Sequence, residues 1–228
     1  MPLRSPYQRL IAAALCGLLL TATAHAAVKP NALFSDGAVL QHGMKVPVWG
    51  TAKDGEKVTV SFQGQEVSTT AKDGRWRADL APLKAGGPFE MTITGENSLK
   101  LGNILVGEVW IASGQSNMQW SVKQSDNPEQ NIKESANPQI RLITVPRRAT
   151  AEPQNDIDAK WQECGPESVP DFSAVAYFFG RDLQKQLKVP VGLISTNYGG
   201  TPAEAWTSHG ALAAEPALKS LADMPAND

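Results

Sequence analysis

The residue with the best claim to chemistry is Ser116. It follows a short apolar run, Val109 to Ala112, and the turn residues Ser113-Gly114. That order predicts a buried strand, a tight turn and a helix entry, with the serine at the strand's carboxyl end. In α/β folds the loops at those ends form the crevice that carries reactive groups. Backbone N–H groups at such a turn can also face a developing negative charge. The same position suits a helix N-cap, where serine is among the preferred residues. A serine nucleophile needs a base to take its proton and return one, and donors for the oxyanion. The sequence holds three histidines, His25, His42 and His209. A base needs hydrogen-bond reach of the serine and usually an orienting carboxylate, and nothing in Thr207-Ser208-His209-Gly210 supplies one. His209 reads as a solvated surface residue. No Cys/His cluster has metal-ligand spacing and no glycine loop cradles phosphate, so neither metal nor cofactor is implied.

The elements that must position Ser116 follow from the chain's punctuation. Arg4 and Arg9, the apolar core Leu10 to Leu20 and Ala24-His25-Ala26 form a signal peptide cleaved near Ala26. No stretch approaches the roughly 20 apolar residues of a membrane span, so stable membrane insertion is not expected. The address is secreted or periplasmic, and His25 leaves with the peptide. Its two arginines gone, 19 basic residues of the 21 face 23 acidic ones. A net charge near −4 without a basic run makes nucleic acid a poor partner. Cys164 is then the one cysteine left, reads as structural, and allows no intrachain disulfide.

From Ala32 to about Ile104, short alternating runs such as Val58 to Phe62 and Phe89 to Thr94 are separated by turn residues. They predict an antiparallel β-sandwich, with His42 inside it. Trp49 and Trp76 read as core, with sugar platforms the alternative. Beyond Leu99 strands alternate with helix-length segments, which means βα units and a parallel sheet. Val109 to Ala112, Ile140 to Val145 and Val191 to Ser195 are its strands. Arg147 to Asp171 reads as a long loop. Ser173 to Lys188 is the clearest helix, and Val175, Phe178, Phe179, Leu183 and Leu187 form its expected core stripe. Gly199-Gly200 follow the third strand, and on spacing alone read as an ordinary tight turn.

Gly107 to Met118, with the block Gly114-Gln115-Ser116-Asn117-Met118, resembles the nucleophile block of the sialate O-acetylesterase family of SGNH (GDSL-like) hydrolases. Trp161 to Pro166, Phe172 to Gly180 and Gly199 to Trp206 are similar to further blocks of that family. The resemblance covers about Leu33 to Trp206. It implies Ser116 as nucleophile, with its own N–H and that of Gly200 (or Gly199) as oxyanion donors. It also implies a late Asp-x-x-His block carrying the base, and that block is not found here.

The fold class expected is α/β: an N-terminal antiparallel β-sandwich, then the first half of a flavodoxin-like SGNH parallel-sheet domain. The domains are residues 1–26 (signal peptide), 27–103 (sandwich) and 104–228 (incomplete hydrolase domain). The function implied is a carbohydrate O-acetylesterase of the sialate 9-O-acetylesterase type, inactive as this isolated chain, with an O-acetylated sugar as its partner. Alternatives are an acetyl-xylan esterase with the same machinery, or a non-catalytic carbohydrate-binding or structural fragment. A lipase is weaker, because nothing implies an acyl-chain tunnel. The last strand is expected to expose an unpaired edge that favours association.

Overall fold

The computed structural model describes residues 27–150 and 152–223. The expected signal peptide, residues 1–26, lies outside the described residues. Among those described, no helix is long and apolar enough to cross a membrane. The chain opens with β1 (Lys29–Pro30), β2 (Val39–Gln41), β3 (Val46–Thr51), β4 (Lys57–Phe62), β5 (Gln65–Thr70) and β6 (Arg75–Leu80). Next come β7 (Gly86–Thr94), the long β8 (Ser98–Gly114), α1 (Ser116–Gln119), a 3-10 turn at Val122–Gln124 and α2 (Pro128–Lys133). Then follow β9 (Asn137–Thr144), β10 (Gln162–Cys164), α3 (Ala174–Leu187) and β11 (Val191–Asn197). A second 3-10 turn, Ala203–Trp206, leads to α4 (His209–Ala214) and α5 (Lys219–Ala222).

Alternation builds the sandwich. In β4 Val58, Val60 and Phe62 point inward, and in β6 Trp76, Ala78 and Leu80 do. The hairpin turns Gln63-Gly64 and Asp73-Gly74 take left-handed backbone, which matches the twist of the strands they join. The sheet β1-β3-β6 packs over β5-β4-β7 and the first half of β8, with Val48, Met91, Ile93 and Ile104 between them. Trp76 is interior and donates its Nε1–H to the Thr51 carbonyl at 3.1 Å. Trp49, half-buried, meets Phe34 edge-to-face at 4.6 Å. The expected α/β order, antiparallel sandwich before parallel sheet, is what the chain forms.

Strand β8 carries the backbone from one part to the other without a break. Its first half pairs with β7, and Leu105–Gly107 pair in parallel with β2. Glu108–Gly114 pair in parallel with β11, which pairs in parallel with β9. Between these halves Asn103 takes a left-handed φ of 56°. The Asn103 side-chain oxygen accepts from the buried Arg141 Nη2 at 3.0 Å. Arg141 also donates to the Pro138 carbonyl at 2.6 Å and sits 3.1 Å from Glu163 Oε1. Burial pulls this guanidinium's pKa down, and Glu163 acts against it.

A second core collects Val122, Ile140, Leu142, Cys164, Phe172, Tyr177, Val191 and Leu193 under α3. Cys164 donates to the Ser135 carbonyl at 3.2 Å, and burial pushes its thiol up to about 12. Such a sulfur is inert. The long loop after β9 is more structured than its composition predicts: β10 adds an antiparallel strand to β9. Trp161, just before β10, donates to the Leu33 carbonyl at 3.0 Å.

Two expectations are corrected. Only part of the expected α3 stripe faces the core: Phe178 packs against the second cluster and Leu183 is half-buried, but Val175, Phe179 and Leu187 are exposed, while Ala174, Ala176, Tyr177 and Gly180 are buried. Small residues face the sheet because the helix lies close to it. A Cβ at Gly180 would come within 2.5 Å of Leu193 Cδ1. The open edge is also elsewhere: the order is β10-β9-β11-β8, so β11, the last strand, is internal. Among the described residues the second half of β8 has an unpaired side, and β10 ends the sheet beyond β9.

Candidate active site

The parallel register of β8 and β11 sets the site. Asn197 lies opposite Gly114, and the Tyr198 N–H donates to the Gly114 carbonyl at 3.0 Å. Both strands therefore end at one level, and their following residues meet. Gly114 has φ +145°, a conformation side chains rarely adopt. It turns the chain from β8 into α1. Ser116 is the first residue of that helix and is exposed; Gln115, not Ser116, holds the cap position. The N-cap alternative for Ser116 therefore does not describe it.

Gly199 lies against Ser116. A Cβ at Gly199 would stand 3.3 Å from Ser116 Oγ and 2.8 Å from Gln119 Oε1. The structure thus brings Ser116 and Gly199 together; Gly200 follows one residue on, with nothing within 4 Å of where its Cβ would be. The backbone donors are not equally available. The Ser116 N–H donates to Gln115 Oε1 at 2.9 Å, and the Gly199 N–H donates to Gln119 Oε1 at 2.6 Å. Gly200, at φ +81°, has no hydrogen-bond partner for its N–H among the described residues.

The glutamines are what a motif reading passes over. The signal for Gln119 is its spacing, since residues three apart on a helix share a face. Around the turn, Thr201 Oγ1 donates to the Tyr198 carbonyl at 2.6 Å, and Trp206 Nε1 donates to Thr201 Oγ1 at 2.8 Å. Trp120, Tyr198 and Trp206 are all exposed on the segments that follow the two strands.

The histidines lie apart from this arrangement or lack support. His42 Nε2 meets Glu108 Oε1 at 2.7 Å, an imidazole with an orienting carboxylate. Glu108, however, starts the parallel half of β8 and Ser116 follows its end. Gly114 lies six positions along the strand from Glu108, about 20 Å at the usual rise. His209 opens α4, is exposed, and its ring has no hydrogen-bond partner among the described residues. A concavity lined by Lys29, Trp49, Arg75 and Asp156 opens on the sandwich rim, and none of its lining residues belongs to the Ser116 loops.

Residues 106–221 match the carbohydrate esterase family described as sialic acid-specific acetylesterase. Human sialate O-acetylesterase is 37% identical over 188 residues, covering 73% of this chain and 36% of the human protein. The rat sialate O-acetylesterase is 36% identical over the same length, with 35% of that protein covered. A crystal structure of a carbohydrate acetylesterase from Xanthomonas citri superposes with a TM-score of 0.78 at 33% identity. That match covers 82% of this chain and 44% of the other. The chain spans little more than a third of the length of the curated relatives it matches. With the family match spanning half of its residues, this chain belongs to the sialic acid-specific acetylesterase family of carbohydrate esterases.

Proposed function

We propose that this chain carries the nucleophile half of a carbohydrate O-acetylesterase site. Ser116 attacks the acetyl carbonyl, and backbone N–H groups of Ser116 and the Gly199-Gly200 turn receive the oxyanion. The observation that carries this reading is the approach of the Ser116 hydroxyl to Gly199 across the ends of β8 and β11. Losing one oxyanion donor costs on the order of a hundredfold or more in rate. The exposed rings of Tyr198 and Trp206 flank the glycine pair in sequence and offer amphipathic surface to a sugar. The substrate is an O-acetylated sugar: the relatives' names favour an O-acetyl sialic acid, the 9-O-acetyl ester is the type the sequence resemblance implies, and acetyl-xylan is the alternative. The division into residues 27–103 and 104–228 is part of this proposal. Two buried clusters support it, although the first also takes in Ile143 and Trp161 and β8 runs unbroken through the boundary. Residues 1–26 act in it as a signal peptide for secretion or export to a periplasm.

The base is the part these described residues do not bring to Ser116. His42 is bonded at the far end of β8, and His209 has no carboxylate to orient it. The open edge of β8 runs to the turn before Ser116, so a further parallel strand laid there would end beside the serine. We infer that the base arrives with such a strand and that residues 27–228 alone turn over poorly.

Acetate release from p-nitrophenyl acetate and from 9-O-acetyl sialic acid tests this, with Ser116→Ala as control. Near-background rates are expected from residues 27–228. Adding a polypeptide of this family that carries the Asp-x-x-His block restores turnover that Ser116→Ala removes. Turnover that survives Ser116→Ala overturns the serine assignment. Serine-dependent turnover by residues 27–228 alone overturns the missing base. Failure of every complementing polypeptide favours the non-catalytic reading, in which the rim concavity around Trp49 binds sugar.

A further inference from the structure

We propose that Gln119 is a positioning residue of this site. Its side-chain oxygen holds the Gly199 N–H, which removes Gly199 from the oxyanion donors and leaves the Gly200 N–H to serve. The donor role rests on the esterase reading above; the clamp itself stands on geometry alone.

Ser116 and Gln119 lie three residues apart on α1, so both side chains project from one face of the helix. The Gln119 N–H is itself tied to the Gln115 carbonyl at 3.0 Å, which fixes the residue within the turn. From there its Oε1 accepts the Gly199 N–H at 2.6 Å. The glycine at 199 is required by space, because a Cβ would press on Gln119 Oε1 at 2.8 Å and Ser116 Oγ at 3.3 Å. The glycine at 200 is required by backbone: φ is +81° and nothing lies within 4 Å of where a Cβ would be. Two adjacent glycines thus do different work. One is pulled against the helix, and the other is exposed, with its N–H unengaged among the described residues.

The turn is held from its far side too, by Thr201 Oγ1 on the Tyr198 carbonyl and by Trp206 Nε1 on Thr201 Oγ1. Its orientation is therefore set before any ligand arrives. An N–H bonded within the protein, as the Ser116 N–H is to the exposed Gln115 side chain, must give up that partner to meet an oxyanion, whereas one without a partner among the described residues, as at Gly200, does not. Preorganised donors of the second kind are the effective ones. The Gln119 side chain supplies that preorganisation by holding the neighbouring amide.

The test is amide NMR on the full chain labelled with 15N-glycine, so it does not depend on turnover. In the wild type the Gly199 amide is protected from exchange and its proton lies downfield, while Gly200 exchanges freely. Gln119→Ala raises Gly199 exchange by about tenfold, the size of one lost hydrogen bond. Gln119→Glu keeps an acceptor at the same place, restores the protection and moves the Gly199 proton further downfield. That rescue fades as pH falls through the carboxylate range near about 4. A side chain that merely filled space would show no such titration. Unchanged Gly199 exchange in Gln119→Ala overturns the clamp, and Gly200 protected as well as Gly199 in the wild type overturns its assignment as the available donor. Titration with acetate ion tests the donor: the Gly200 amide moves and Gly199 stays. A larger shift at Gly199, or no shift at either, overturns the assignment of Gly200. An inert chain with a protected Gly199 leaves the clamp standing, while an active one with unprotected Gly199 removes it.

Discussion

The two halves of β8 share one backbone and live in different surroundings. Its first half is paired by β7, and by β2 as well over Leu105–Gly107, and Ile104, Leu105 and Val106 are fully buried. Its second half is paired on one side by β11. There Trp110 and Ile111 stand 43% and 67% exposed in mid-strand, where apolar residues are normally covered. Trp110 meets Phe179 edge-to-face at 5.0 Å, and Phe179 is itself exposed. The difference separates two jobs. The closed half supplies stability, and the open half ends at the turn that carries Ser116. Reactive loops commonly sit on the less stable end of a fold.

The sharpest way to break this comparison is to damage the closed half. Trp76→Ala removes a buried indole and its hydrogen bond to Thr51. It is expected to cost about 3–5 kcal/mol, read as a lowered urea midpoint. The joint comes next. Arg141→Ala strips the donors from the Pro138 carbonyl and the Asn103 side chain and leaves a cavity. A loss of about 3 kcal/mol is expected, from packing plus unmet acceptors. The Glu163 carboxylate is largely exposed and stays solvated once its partner goes. A loss below about 1 kcal/mol would mean that the two halves are not coupled through this residue.

How far the sequence foretold these halves follows from the same physics. The closed half was legible because alternation in β4 and β6 is a local signal, and Asp73-Gly74 marks its own turn. The three parallel strands were legible as apolar runs. Their order was not, since pairing partners are non-local and β11 slots between β9 and β8 without any local mark. The α3 stripe misled because apolar residues signal a helix face, whereas close approach to a sheet calls for small ones. Gly180 against Leu193 carries that information. At the site, Ser116 and the glycine pair stood out by type and motif. Gln119 did not, because its role exists only once Gly199 is brought 80 residues back along the chain.

A smaller effect is expected at the rim of the closed half. Asp156 accepts from Lys29 Nζ at 2.9 Å and from the N–H groups of Ala32 and Ile157, also at 2.9 Å. Burial works to raise its pKa, but these hydrogen bonds and the Lys29 charge hold it below the ordinary value. A depressed carboxylate stabilises the fold above its unfolded pKa and loses that contribution as pH falls through its folded pKa. Asp156→Ala is therefore expected to lower stability at pH 7 by about 1 kcal/mol or less, since Lys29 is exposed and the pair is screened. Thermal melts should converge for the two proteins at about pH 2. A gap that persists there would assign the effect to packing instead of charge.

The least effect on stability is expected at the open edge, where the comparison can be read one amide at a time. Parallel pairing alternates the backbone: Glu108 donates to the Pro190 carbonyl and Gly114 accepts from Tyr198, so Trp110 and Ala112 also face β11. Ile111 and Ser113 face away, toward the unpaired side. The Val109 N–H, facing the same way, is taken by Gln41 Oε1 at 2.8 Å. Hydrogen exchange should alternate accordingly, slow at Trp110 and Ala112 and fast at Ile111 and Ser113. The amides from Ile104 to Val106 should be slower than all of these. Ile111→Lys removes an exposed apolar group and places a charge on the edge. It should change stability by no more than about 0.5 kcal/mol and weaken self-association, because charged side chains block edge pairing. Slow exchange at Ile111 in the wild type, abolished by Ile111→Lys together with a drop in sedimentation coefficient, would show the edge paired with a second copy. In that case the openness of β8 would belong to the monomer alone.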